Sequence, residues 1–115
     1  FNYKNNKLGF GICYETSIPE HSKKIYDQGA NVYIASVLNS INSVDNDIRR
    51  ISAIAAKYQM TSFMSNFVGT SGGFRCAGKT SIWNNQGKLL EQLDPVNEGI
   101  VIIDLNTQET TKIQL

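Results

Sequence analysis

An apolar run at residues 8–14 ends in Cys13 and Tyr14, and Pro19 follows the cysteine by six residues. Pro19 suits the first turn of a helix, where its missing N–H would have no partner in any case. This order predicts a buried strand, a sharp turn at Cys13 and a helix that begins near Pro19. A thiol near a helix N-terminus favours the thiolate, which is the nucleophilic form. Cys13 is therefore the residue on which a functional interpretation depends.

The rest of the chain alternates between helical and extended patterns. Ile25 and Tyr26 are expected to face inward from the first helix, Gly29 to end it, and Asp45 to cap the second. A polar tail at residues 106–115 is expected to be peripheral. The predicted elements after Pro19 are a helix to about residue 28, a strand at 30–38, a loop at 39–44, a helix at 45–58, a strand at 61–68, a loop at 69–73, a hairpin of 79–83 and 88–93 closed by residues 84–87, and a strand at 100–105.

This order predicts the α/β class, with helices packed on one face of a sheet. The strands at 32–37 and 100–103 are too apolar for their other face to meet water. No further helix is predicted that could cover that face. A second sheet, from a missing segment or a partner, is the expected cover.

Composition narrows the functional classes. The 115 residues suit one domain, and 41% of them are hydrophobic, enough for a core. The net charge is +1, and no basic run exceeds a pair, so neither a nucleic-acid nor an anionic-membrane surface is expected. No apolar run approaches the roughly 20 residues of a spanning helix.

The two cysteines and the absence of a visible secretory signal predict reduced thiols in the cytoplasm. A disulfide between Cys13 and Cys76 stays open as an alternative. The chain has no initiator Met, and a polar opening leads directly into a strong strand. We interpret it as a piece of a longer protein.

The chain resembles the carbon–nitrogen hydrolase (nitrilase/amidase) superfamily over about residues 8–105. The Cys13 segment with Pro19-Glu20 is similar to the nucleophile region of that family, and the similar segments follow in the family's order. These segments are Gly11-Ile12-Cys13-Tyr14-Glu15, Gly29-Ala30-Asn31, 49–55, Asn66-Phe67-Val68-Gly69, 78–83, 87–90, and Glu98-Gly99-Ile100 with Asp104.

The resemblance implies an α-β-β-α sandwich and a Glu–Lys–Cys triad in which Glu and Lys lie upstream of Cys. Only twelve residues precede Cys13, none of them acidic, and Lys4 and Lys7 lie too close to it to match the family's lysine. The chain therefore resembles the C-terminal portion of such a domain. The missing half would supply the second sheet, and the full-length protein is expected to be a homo-oligomer.

Residues next to the nucleophile have candidate roles with plainer alternatives. The backbone N–H of Tyr14 is well placed as an oxyanion donor, while its ring packs near the turn. Glu15 could be a general base, although a structural hydrogen-bonding role is favoured. A Cys13/His21 dyad is disfavoured, because His21 is expected to face solvent from the helix after Pro19.

Other polar residues are candidates because of where their strands end. Ser36, Asn39 and Asn66 lie near strand ends, where pockets of α/β proteins commonly open, although solvated loop residues fit equally well. Cys76 is interpreted as a small packing residue. Two cysteines and one histidine are too few and too scattered for a zinc site, and no phosphate-binding glycine loop is present. We therefore expect neither a metal nor a cofactor.

The sequence favours a cysteine hydrolase that acts on non-peptide carbon–nitrogen bonds of a small molecule, most simply an amide, with a nitrile or carbamoyl group as alternatives. A catalytically incomplete segment with a structural or partner-binding role is the competing hypothesis. A redox-active thiol protein is a third, and no Cys-X-X-Cys motif supports it.

Overall fold

The computed structural model describes all residues from 1 to 115 as a mixed α/β fold. Two α-helices accompany ten strands and one short 3-10 helix. The elements are β1 (Asn2–Tyr3), β2 (Asn6–Ile12), the 3-10 helix (Cys13–Ser17), α1 (Pro19–Asp27), β3 (Val32–Val37), α2 (Val44–Tyr58), β4 (Thr61–Asn66), β5 (Val68–Ser71), β6 (Phe74–Ala77), β7 (Ser81–Trp83), β8 (Leu89–Gln92), β9 (Gly99–Ile103) and β10 (Thr110–Gln114).

The main sheet has six strands in the order β1-β2-β3-β4-β7-β8. Its centre, β2-β3-β4, is parallel, and the remaining pairs are antiparallel. Parallel neighbours bring the carboxyl ends of β2, β3 and β4 to one edge. The residues that follow these strands therefore meet at that edge, which carries the candidate site.

Both helices pack on one face of this sheet. Alternate residues of β3, namely Tyr33, Ala35 and Val37, belong to the same buried cluster as Ile25 of α1 and Ile51 of α2. Gly9 lets α1 approach closely, because a Cβ there would lie 2.2 Å from Ile25 Cγ2. The predicted arrangement of helices on one face is confirmed.

The opposite face of β2 is open. Phe10 and Ile12 are 47% and 56% exposed, although they alternate with glycines that face the helices. The rings of Phe1 and Phe10 form a T-shaped pair, with centroids 6.4 Å apart. The β9–β10 hairpin forms a separate two-stranded sheet. Apolar side chains therefore remain in contact with solvent on this face.

Several boundaries differ from the sequence prediction. The predicted loop at 69–73 instead belongs to the β5–β6 hairpin, which turns at Gly72-Gly73 with φ of 60° and 82°. The tail expected to be peripheral contains β10, which pairs with β9 in antiparallel register. Tyr26 is half-exposed rather than inward, with its ring against Tyr58. In both hairpins, hydrogen bonds between antiparallel neighbours formed strands where the polar side-chain pattern predicted a loop and a peripheral tail.

The predicted hairpin of β7 and β8 is confirmed, as are the helix start at Pro19 and the end of α2 at Tyr58. The cap predicted at Asp45 is wrong: α2 begins at Val44, whose N–H already donates to the carbonyl of Ser40 at 3.0 Å, and Asp45 lies in the first turn of the helix. Gly29 follows α1 with φ of 90°, a conformation that ends a helix at little cost for glycine. No helix in the structure has the length and apolar character that crossing a membrane requires.

Candidate functional site

Cys13 lies at a sharp turn between β2 and α1, as predicted. The strand ends at Ile12, Cys13 has φ of 47° and begins the 3-10 helix, and α1 begins at Pro19. A left-handed backbone is unfavourable for a residue with a Cβ and persists only where surrounding contacts hold it. Such a turn presents the exposed thiol at the edge of the sheet.

Three side chains hold the backbone of this turn. Thr16 Oγ1 donates to the carbonyl of Cys13 at 2.8 Å, and Ser17 Oγ donates to the carbonyl of Tyr14 at 2.7 Å. The backbone N–H of Ile12 donates to Glu15 Oε1 at 2.9 Å. These hydrogen bonds use side chains next to Cys13 in sequence, so the segment itself specifies its turn.

Tyr33 supports the turn from below. A Cβ at Gly11 would lie 2.4 Å from the Tyr33 hydroxyl oxygen and 3.2 Å from Thr16 Cγ2. The ring is fully buried, and its hydroxyl has no hydrogen-bond partner. Burial, with a smaller contribution from the charge of Glu15, raises the pKa of Tyr33 to about 12. Tyr33 is therefore a neutral packing group beneath the residue pair that precedes Cys13.

A cleft of about 210 Å³ opens beside Cys13. Asp47 and Arg50 of α2 contribute an ion pair to its wall, and Asp47 is only 8% exposed. Sequence reasoning missed both residues. The available signal was their place in the first two turns of the helix that follows β3, whose carboxyl end lies beside that of β2. The cleft is lined by Cys13, Tyr14, Ser17, Leu38, Asn39, Asp47 and Arg50.

Asn39 and Asn66 are brought together, but only Asn39 lines the cleft at Cys13, whereas Asn66 lines the neighbouring cleft described below. Asn39 lines the cleft, and its N–H donates to Asn66 Oδ1 at 2.9 Å. Asn66 Nδ2 donates to the carbonyls of Asn39 at 3.2 Å and Gly78 at 3.0 Å. Asn66 therefore ties two loops together behind the cleft. Ser36 lies outside the cleft, on the open face of β3 beside Ile12.

Glu15 and His21 face each other across the start of α1. Glu15 Oε2 lies 3.4 Å from His21 Nε2, so both oxygens of the carboxylate meet nitrogen atoms. The side chain of His21 is 24% exposed, and its Nδ1 is buried without a partner. The expectation that His21 faces solvent is therefore wrong, because Glu15 draws the ring against the turn. The Tyr14 side chain is largely exposed.

The second cysteine lies elsewhere in the fold. Cys76 is in β6, is 1% exposed, and both cysteines are free. The alternative of a Cys13–Cys76 disulfide is therefore not what the structure contains. The burial of Cys76 agrees with its interpretation as a packing residue.

A larger cleft of about 280 Å³ lies beyond Asn66, between the end of β4 and the segment before β9. Its polar lining includes Lys79, Asp94 and Glu98. Hydrogen bonds from the backbone N–H groups of Asn97 and Val96 lower the pKa of Asp94, so this carboxylate caps its own turn. The cleft holds neither cysteine, so the cleft at Cys13 is the candidate active site.

Comparison with known proteins gives the family of the chain and agrees with its fold. The sequence model of the family described as carbon-nitrogen hydrolase matches residues 2–114. Among curated proteins, none matches this chain. Structural similarity is strong: a carbon-nitrogen hydrolase from Helicobacter pylori G27 superposes with a TM-score of 0.74 at 15% identity, over 95% of this chain and 40% of that one.

Two further structures share the fold. A mutant of the amidase from Nesterenkonia sp. AN1, with the acetamide moiety of fluoroacetamide covalently added at its active-site cysteine, has a TM-score of 0.71 at 18% identity, over 98% of this chain and 39% of that one. Saccharomyces cerevisiae Nit3, a member of branch 10 of the nitrilase superfamily, has a TM-score of 0.70 at 18% identity, over 94% and 36%. This chain spans about two fifths of the length of the solved structures it matches.

Proposed function

This chain belongs to the carbon–nitrogen hydrolase family, and from that premise we propose that it carries the nucleophile of a hydrolase acting on small amides. The observation that carries the proposal is Cys13: an exposed thiol on a left-handed residue, at the mouth of a cleft, between a strand and a helix. A buried packing cysteine needs none of these features. A nitrile or a carbamoyl group is an alternative substrate for the same chemistry.

The proposed reaction has two halves. The Cys13 thiolate attacks the amide carbon, a C–S bond forms, and the carbonyl oxygen becomes an oxyanion that the backbone N–H of Tyr14 stabilises. Collapse breaks the C–N bond, and the nitrogen takes a proton and leaves as ammonia or an amine. Water then attacks the thioester, which releases a carboxylic acid and restores the thiol. No cofactor takes part.

The general base and the oxyanion-binding cation are proposed to come from residues outside this chain. Family resemblance implies a Glu and a Lys upstream of the nucleophile, and both oxygens of Glu15 already face Ile12 N–H and His21. The same missing part would bring the second sheet of an α-β-β-α sandwich over Phe10 and Ile12. On this proposal the 115-residue chain is a C-terminal portion and is silent by itself.

The test is ammonia release from a panel of small amides by the chain, with and without a co-expressed upstream segment. We expect turnover only with that segment, and none after Cys13→Ala. Cys76→Ala is the matched control, because it removes a buried thiol that does not line the cleft and should retain most of the activity. Hydrolysis by a monomer of the chain alone would show that a residue of this chain, Glu15 first, is the base.

The open face of β2 supports a second candidate, a segment that serves mainly to bind a partner. Phe10 and Ile12 are exposed apolar side chains that association would cover. Light scattering on the same samples separates the two: a complex with the upstream segment that forms without turnover favours this candidate. The free thiols fit a reducing compartment such as the cytoplasm, and we propose that the full-length enzyme is a homo-oligomer.

A further inference from the structure

His21 has a position that the proposed reaction does not use. It is the only histidine of the chain, its ring is mostly buried, and its Nε2 lies 3.4 Å from Glu15 Oε2. The other oxygen of the same carboxylate accepts the N–H of Ile12, the residue directly before Cys13. One carboxylate thus joins helix α1 to the peptide that enters the nucleophile turn.

The backbone fixes this arrangement from the other side. The N–H of Ile18 donates to the carbonyl of Glu15 at 3.2 Å, and the N–H of His21 donates to the carbonyl of Ile18 at 3.0 Å. These two hydrogen bonds set the distance between the side chains of Glu15 and His21. The ring contact therefore orients a carboxylate that is otherwise about half exposed.

We propose that His21 is a positioning residue for the nucleophile. It holds the Glu15 carboxylate, which in turn accepts the N–H of Ile12 and so fixes the backbone that enters the left-handed turn at Cys13. The inference rests on the proposed function, since the position of the Cys13 thiol matters through its reaction. His21 does not act on the thiol as a base in this proposal.

The ring nitrogens support a defined hydrogen-bond direction. His21 Nδ1 is buried without a partner. A proton there would be a buried donor with no acceptor, whereas a bare Nδ1 with the proton on Nε2 leaves only an unpaired acceptor and turns an N–H toward Glu15 Oε2, 3.4 Å away. Glu15 then faces an N–H on each oxygen, the hydrogen-bonded Ile12 amide on one and the His21 ring on the other. In the same position glutamine would place its single oxygen against only one of these groups and its NH₂ group against the other.

The experiment tests whether Glu15 needs both of its oxygens to hold the turn. Exchange of the Ile12 amide hydrogen and alkylation of Cys13 by iodoacetamide are measured on the chain and on Glu15→Gln, His21→Ala and the double variant. We expect each single variant to speed Ile12 exchange, relative to amides in β4, by roughly tenfold, the scale of one lost hydrogen bond to a charged group. Alkylation of Cys13 should slow in parallel. Because both residues act through one chain of contacts, the double variant should show no larger change in either rate than the more strongly affected single variant.

Glu20→Gln is the matched control, since Glu20 is an exposed carboxylate on the same helix and has no hydrogen-bond partner in the structure. It should leave both rates unchanged. A pure charge effect predicts the opposite sign for Glu15→Gln, because removing a negative charge near a thiol favours the thiolate and speeds alkylation. That result would overturn the proposal.

Two more outcomes would overturn it. If His21→Ala keeps the wild-type rates of exchange and alkylation, His21 does not position the turn. If Ile12 exchange becomes faster while the alkylation rate is unchanged, the contact has only a structural role. If the variants fail to fold, the wild-type chain still decides: its only histidine must show an Nε2 proton protected from exchange with water in NMR spectra. None of these measurements needs turnover, so they can succeed even if the chain proves not to be part of a hydrolase.

Discussion

Cys13 and Cys76 carry the same side chain in regions that differ in backbone, exposure and neighbours. Cys13 sits in a left-handed turn at the end of a parallel strand, with its thiol exposed beside a cleft. Cys76 lies extended in the β5–β6 hairpin, opposite Gly69 and bridged to Ser40 on its other side. It is 1% exposed.

The comparison shows that the backbone, rather than the residue type, separates an exposed thiol from a buried packing thiol. Both regions share the loop after β3: Asn39 lines the cleft of Cys13, and its carbonyl accepts the N–H of Ala77, next to Cys76, at 3.0 Å. The hairpin therefore acts as a support that holds the cleft wall.

The largest expected contrast is thiol reactivity. In the folded chain Cys13 should react with iodoacetamide at least about a hundredfold faster than Cys76, because a buried thiol reacts only when the structure opens. Peptide mass spectrometry after timed alkylation separates the two sites. In denaturant the two rates should converge, and comparable rates in the native chain would contradict the packing role of Cys76.

Substituting glycines in the two regions should cost different amounts of stability. Gly11→Ala places a Cβ 2.4 Å from the Tyr33 hydroxyl, whereas a Cβ at Gly73 meets nothing within 4 Å. We expect Gly11→Ala to lower the free energy of unfolding by about 1–3 kcal/mol, the range for overpacking. Gly73→Ala should cost about 1 kcal/mol, from its φ of 82° alone.

Urea denaturation of both variants measures these costs, and Tyr33→Phe supplies the check. Because that change removes the hydroxyl oxygen nearest to the new methyl group, the double variant Gly11→Ala, Tyr33→Phe should recover part of the loss. If there is no recovery, the clash lies elsewhere and Tyr33 does not support the turn.

Substitution of each cysteine by serine should cost more stability at Cys76 than at Cys13, which reverses the order expected for the glycine substitutions. Cys76→Ser buries a hydroxyl at a position that is 1% exposed and should lower the free energy of unfolding by about 1–2 kcal/mol. Cys13→Ser leaves the new hydroxyl in water and should change it by less than about 0.5 kcal/mol. Equal costs in urea denaturation would mean that the region of Cys13 is covered.

The smallest expected effect concerns Tyr33 and alkaline pH. Its folded-state pKa is raised to about 12, so the folded state keeps a proton that the unfolded chain loses near pH 10. The stability linked to this proton is fully present below about pH 10 and is lost as the pH rises toward 12. Tyr33→Phe should lose about 1 kcal/mol less than the wild type between pH 9 and 11. Identical losses would mean that the hydroxyl is solvated.

Much of the turn was predictable from the sequence, because its instructions are local. The strand, Cys13 and Pro19 lie within one short segment, and glycine after α1 ends that helix through its own φ. The contact between Glu15 and His21 was not predicted. It depends on the extended residue Ile18, which lies between the 3-10 helix and α1 and sets the direction in which the His21 ring points. Pairing of β10 with β9 was also missed, since the polar residues of that tail gave no apolar alternation.

By itself the sequence determined the order of the two helices and of β2, β3, β4, β7, β8 and β9, the α/β class, the place of Cys13 between strand and helix, and the packing of the helices on one face. These features depend on periodicity and on turn residues, which neighbours in the chain encode. Only the tertiary structure decided that Asp47 and Arg50 border the cysteine and that Asn66 ties the loop at Asn39, 27 residues away. Such contacts join distant segments, and the sheet order that brings them together is a property of the whole fold.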